Sequence, residues 1–154
     1  MKVLLRVLLI LAVLSTIANA QYPYRNIRDI QYNPLDSLLL ADQLQNVASR
    51  WTLQTANYLG DTVRITGVVV VPPKVFTWSS LGYNFILADT NYNGPFGYIF
   101  VRAPFSGSSA PQDSVYYSNM LGLQAGDVVE VSGYLGEFPT NSMNSLTQFN
   151  LLKN

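Results

Sequence analysis

Two stretches of this chain share one grammar. Gly60-Asp61 opens the run Thr62–Val71 (TVRITGVVVV), and Gly126-Asp127 opens Val128–Phe138 (VVEVSGYLGEF). Each is a turn pair, an alternating apolar strand, an internal glycine, then more strand. Alternation with period two marks a strand with one face buried. A glycine inside such a run marks a bulge or a sharp bend. Two long bent strands are what a small, tightly coiled barrel needs. In the first run Val63 and Ile65 face inward, and a bulge at Gly67 is expected to change the register so that Val68 and Val70 face inward after it. Gly133 is expected to bend the second run in the same way.

The rest of the chain supplies three more strands, over about Asn84–Asp89, Tyr98–Arg102 and Leu146–Leu152. The alternation places Phe85, Leu87, Ile99 and Val101 inward. Pro72-Pro73 ends the first strand or puts it on an edge. Thr90 to Gly97 is a turn-rich connection, and Ala103 to Gln112 is a Ser/Gly/Pro loop. Asp113–Leu121 is expected to form a short helix capped by Asp113. Five strands with one helix between the third and fourth, and bends in the first and fourth, describe an all-β, five-stranded OB-fold barrel. That domain spans 61–154. Residues 21–60 form an N-terminal extension packed on it: Ile27, Ile30 and Tyr32 hold a short strand or turn, Pro34 to Asp42 is a helical turn or covering loop, and Gln43 to Leu59 is mainly loop. No linker or second domain is expected.

Residues 1–20 have the anatomy of a secretory signal peptide. Lys2 and Arg6 form the positive region, Val7–Val13 the apolar region, and Ala18-Asn19-Ala20 the small-residue cleavage site. The apolar run is shorter than the roughly 20 residues a bilayer span requires. Cleavage after Ala20 leaves no membrane span and a secreted or periplasmic chain starting at Gln21. The full chain holds 9 basic and 9 acidic side chains. Without the leader, 134 residues carry 7 basic and 9 acidic groups, a net charge of −2. A strong polyanion binder carries a basic footprint, which is missing here. The chain has no cysteine, hence no disulfide and no lipoprotein anchor, and stability must come from packing. It has no histidine either, which removes histidine-based catalysis and histidine metal sites.

The segments GDTVRITGVVVVPP, FILADT, GYIFVR, GDVVEVSGYLGEF and LTQF resemble the OB domains attached to secreted bacterial nucleases of the endonuclease/exonuclease/phosphatase class. They resemble still more the OB domains at the N-terminus of large exported bacterial proteins that end in a sorting domain. There a lead-in like Ile27–Ser37 (IRDIQYNPLDS) precedes the first strand. The resemblance covers about residues 27–150. It implies a binding module and no catalysis, because neither a nuclease domain nor a sorting domain accompanies it.

The candidate site follows from the alternation. With Ile99 and Val101 inward, Tyr98, Phe100 and Arg102 share the outer face of the third strand; Ile86 joins them from the second, beside Asn84 and Ala88. This outer face is the usual OB ligand surface. Tyr98 and Phe100 are placed to stack on bases or sugar rings, and Arg102 to reach a phosphate. Trp78 and Tyr83 frame the face from the first connection. Either this face is open to a ligand, or the N-terminal extension covers it and its aromatics are core. The expected partner is single-stranded nucleic acid, an oligosaccharide or another exported protein, with no cofactor and no metal. Alternatives are an envelope-assembly interaction module, or the detached accessory domain of a secreted nuclease. Asp61, Asp89 and Asp127 read as turn residues that accept backbone hydrogen bonds. Asp89 and Glu137 as an acid–base pair is the weaker reading. The run Thr90–Gly94 lacks the repeated acids of a calcium loop.

Overall fold

The computed structural model describes residues 22–44, 56–73, 75, 82–105, 110–138 and 146–153. Five strands form a closed barrel: β1 (Thr62–Val71), β2 (Gly82–Asp89), β3 (Tyr98–Pro104), β4 (Val128–Phe138) and β5 (Leu146–Leu151). The order around the barrel is β1-β2-β3-β5-β4, with β4 closing on β1. Every pairing is antiparallel except β3 with β5, where Phe100, Val101 and Arg102 lie beside Gln148, Phe149 and Asn150. This is the OB-fold barrel, and it carries one helix, α3 (Ala110–Tyr116), between β3 and β4, followed by a 3-10 turn at Ser118–Gly122.

The long strands do not bulge at their glycines. β1 keeps strict alternation through Gly67: Val63, Ile65 and Val69 are buried, while Val70 is exposed. The expected inward turn of Val68 and Val70 is therefore wrong. Gly67 and Val68 pair at once with β4 (Val129, Val128) and with β2 (Asp89, Ala88), with no slip between them. The slip comes later, between Val69 and Val71. Gly133 likewise pairs with both Val63 of β1 and Leu151 of β5.

Both glycines thus sit where a coiled strand is held on two sides, and their role is close approach. A Cβ at Gly67 would lie 2.8 Å from Leu87 Cβ and 2.9 Å from the Ala88 carbonyl oxygen. At Gly133 it would collide with the Asn150 carbonyl oxygen and lie 2.6 Å from Phe149 Cε1. Barrel closure leaves no room for a side chain at these crossings.

Phe85, Leu87, Ile99, Val101, Leu135 and Phe149 fill the interior. Both ends of the barrel are plugged. At one end lies α1 (Ile27–Gln31), packed against β1, β2 and β3. Its Ile27 and Ile30 are fully buried. Each such burial contributes about 1.5–3 kcal/mol, enough to hold a five-residue helix that would not form alone. The Arg28 amide donates to Asp89 Oδ2 (3.0 Å), and Gln31 Nε2 donates to the Tyr98 carbonyl (2.8 Å).

The other end is closed by Tyr117, whose hydroxyl donates to the Leu151 carbonyl (3.3 Å). Burial pushes the Tyr117 phenol up to about 12, with further upward pressure from Tyr116, Asp113 and Tyr134. Asp113 lies inside α3 rather than capping it. Its carboxylate is buried and ion-paired with Lys153.

The rest of the extension adds a strap and a second helix. Arg25 N–H donates to the Arg64 carbonyl, and Arg64 N–H to that of Pro23, both at 2.9 Å. The lead-in thereby occupies the edge of β1 that β2 leaves open. Helix α2 (Leu35–Gln43) follows Pro34 and buries only Ala41. No helix among the described residues is long and apolar enough to cross a membrane. The expected leader, residues 1–20, lies outside them.

Candidate ligand groove

Strand register assembles a groove on the outer face of β2, β3, β5 and β4. Cross-strand pairs build it: Asn84 with Arg102, Ile86 with Phe100, Phe100 with Gln148, and Phe138 with Leu146. Tyr98 stands at one end, and Gln31 of α1 reaches the rim. The groove encloses ≈560 Å³, within the roughly 300–1,000 Å³ of ordinary ligand sites.

Its walls are mainly apolar, and several are open to solvent: Tyr98 is 50% exposed and Phe138 56%. The floor is polar. Asn84 is only 5% exposed, and its Oδ1 has no hydrogen-bond partner. Leaving such an acceptor unpaired costs about 1–3 kcal/mol. Gln148, across β3 and opposite Phe100, is buried as well. Among the described lining residues Arg102 is the single charged group.

The structure brings together four of the six residues expected at this face: Ile86, Tyr98, Phe100 and Arg102. Tyr83 is a correction. It stands on the inner side, packed on the core and edge-on to Phe105 with ring centroids 4.9 Å apart. The parity that sends Asn84 outward sends Tyr83 the other way. Trp78 lies outside the described residues. Of the two states expected for the face, α1 does not produce the covered one, because its isoleucines enter the barrel end and only Gln31 touches the rim. Phe138, Leu146 and Gln148 were missed. Their alternation within β4 and β5 was visible in the sequence, but which strands adjoin β3 was not.

No family model matches this chain, and no curated protein does. Among solved structures it is similar to a protein of Klebsiella pneumoniae named "putative nucleic acid-binding lipoprotein". The two are 18% identical, with a TM-score of 0.40, over 87% of this chain and 92% of that one. Nothing about ligand follows from a likeness of that size.

The carboxylates have structural roles. Asp89 Oδ1 accepts the Asn91 amide (2.8 Å), and Asp127 Oδ2 accepts that of Gln124 (2.8 Å). At Asp61 the turn bond is made by the backbone, whose N–H donates to the Tyr58 carbonyl. Glu137 is buried, and its Oε1 accepts from Thr147 Oγ1 (2.8 Å) and the Ala56 amide (3.2 Å). Among the described residues no three acidic side chains converge as a metal site would require.

Proposed function

We propose that this chain is a secreted or periplasmic, non-catalytic OB-fold module that holds an extended polymer, single-stranded nucleic acid or oligosaccharide, along the β2–β3–β5–β4 groove. The observation that carries this reading is an exposed aromatic wall above a buried polar floor, on the face where OB barrels take such ligands. Tyr98, Phe100 and Phe138 offer ring faces for stacking, and Arg102 offers one cationic contact. The resemblance to nuclease-associated OB domains motivates nucleic acid, while the net charge of −2 without the leader motivates a neutral polymer. A protein partner in an envelope assembly is the competing reading, favoured by the apolar wall of Ile86, Phe138 and Leu146.

Titration of single-stranded oligonucleotides and oligosaccharides across a salt series separates these readings. Phosphate contacts weaken steeply as salt rises, whereas neutral contacts do not. A polymer bound by the native protein should be lost on Phe100→Ala. Binding of neither polymer, with a protein partner lost on the same substitution, would establish the competing reading. DNA, RNA and glycans incubated with divalent metals should stay intact; metal-dependent cleavage removed by Asp89→Asn would end the non-catalytic assignment.

A further inference from the structure

We propose that the open edge of β4 takes an extended peptide from another protein, added as a strand along Val128–Ser132 where β5 ends. This site is separate from the groove and does not rest on the reading given for it.

In an antiparallel ladder, alternate residues turn both backbone groups toward one neighbouring strand, and those between turn them toward the other. The Ser132 carbonyl accepts from Leu152 N–H at 3.0 Å, so Ser132 turns away from β1. The β1 side agrees: Arg64, opposite Ser132, spends its own N–H and carbonyl on the lead-in. Unbroken register then turns Glu130 and Val128 away from β1 as well. β5 pairs with β4 only over Gly133 to Phe138, with the Leu152 bond just beyond. Among the described residues the N–H and carbonyl groups of Val128 and Glu130 therefore have no partner.

Beside this edge lies a second cavity of ≈720 Å³, bounded by Tyr116 of α3, by Asn119 and Met120 of the 3-10 turn, and by Leu152. Two observations choose its occupant. The first is the backbone. Val128, Glu130 and Ser132 repeat every second residue, about 7 Å apart. An extended polypeptide answers each N–H with a carbonyl and each carbonyl with an N–H at that repeat, and neither a sugar nor a nucleotide chain carries such a series. The second is the flanking side chains. Met120 and Val131, partly buried against the core, give an apolar floor on the inner side of the added strand, while Val128 is 65% exposed on the outer side. Glu130 also lies outside, paired with Arg64 at 3.1 Å, and disfavours an acid opposite it. The fitting peptide alternates apolar residues with neutral or basic ones.

The probe is an acetylated, amidated heptapeptide of valine alternating with threonine and lysine, titrated against the chain lacking residues 1–20. In the free protein the amides of Val128 and Glu130 should exchange with solvent quickly, beside protected Val129 and Val131. Saturating peptide should slow both about tenfold or more. The same peptide N-methylated at alternate residues should bind about tenfold weaker, because it keeps the side chains and loses the donors. Val128→Pro should also weaken binding about tenfold while the melting temperature holds, since its N–H lies outside the ladder at the start of the strand. Phe100→Ala should leave peptide binding unchanged.

A Glu130 amide protected in the free protein at every concentration would mean that the chain fills its own edge. Protection that grows with protein concentration would make the occupant a second copy. Either result overturns the proposal. So would absence of peptide binding, equal binding of the N-methylated peptide, or binding lost on Phe100→Ala and kept in Val128→Pro. Only the last of these bears on the groove, where it would favour the protein-partner reading.

Discussion

Two surfaces of this barrel use the same residue types, tyrosine, phenylalanine and arginine, to opposite ends. Around the lead-in, beside β1 and the β2–β3 connection, the aromatics are spent on the protein itself. Arg25 lies over Tyr58, Arg64 over Tyr24 at 6.0 Å, and Arg28 over Tyr92, while Tyr32 meets Phe96 edge-on at 5.8 Å. These contacts are not free of cost, since Arg25 Nε and Arg64 Nε are buried without acceptors. On the side of β3 Tyr98 and Phe138 are half or more exposed, and the buried polar atom without a partner is an acceptor, Asn84 Oδ1. One surface is therefore an internal clasp. The other has the composition of a site that awaits a partner. The difference lies in what the extension covers, because all strands obey the same alternation.

The harshest way to break the comparison is to open the barrel that carries both surfaces. Gly133→Val should destabilise by about 3 kcal/mol or more, because a side chain there collides with backbone on β5 that closure holds in place. Thermal or denaturant unfolding measures it, and an unchanged melting temperature would contradict the closed barrel.

Phe100→Ala comes next and should separate the surfaces. Ligand affinity should fall tenfold or more, since stacking on one aromatic is worth ~1–3 kcal/mol. Calorimetric titration reads this, and the Arg–Tyr clasp should be untouched.

Arg64→Ala is the converse. It removes a stacked cation and an ion pair with Glu130 on the half-open β1 side, and should cost about 1 kcal/mol of stability while leaving groove affinity unchanged. A loss of ligand binding in this variant would mean that the two surfaces are coupled.

The smallest effect is at the end that Tyr117 closes. Tyr117 is held protonated to about 12 in the fold against 10 unfolded. Above pH 10 the unfolded chain releases this proton first, so stability is complete below pH 10 and falls as pH rises toward 12. Tyr117→Phe should cost about 1 kcal/mol near neutrality, from the lost bond to the Leu151 carbonyl, and should flatten that alkaline decline. Melting temperature against pH measures both.

The strands were legible because their information is local. Alternation and the Gly-Asp turns place β1 at Thr62–Val71 and β4 at Val128–Phe138, and the inward set Phe85, Leu87, Ile99 and Val101 follows from parity. The same parity misled at Gly67. A glycine inside a strand permits a bulge, but it also permits two neighbouring strands to crowd it, and only the pairing partners tell these apart.

The ends of the barrel were less readable. Ile27 and Ile30 show as apolar residues three apart, too short a pattern to distinguish a helical plug from a turn. Asp113 looks like a cap in the sequence, since its partner Lys153 is forty residues away along the chain and meets it only in the folded barrel.

Sequence alone determined that this is a small all-β barrel with Tyr98, Phe100 and Arg102 on one outer face, because a period of two settles which side of a strand each residue takes. Tertiary structure decided that this face is a groove. Strand order puts β5 beside β3 and brings Phe138, Leu146 and Gln148 against those three residues. Among the described residues of the extension, α1 enters the end of the barrel and Tyr24, Tyr32 and Tyr58 lie against arginines, while Tyr98 and Phe138 are exposed. Neither outcome is written in any local pattern, because both depend on which distant segments come together when the barrel closes.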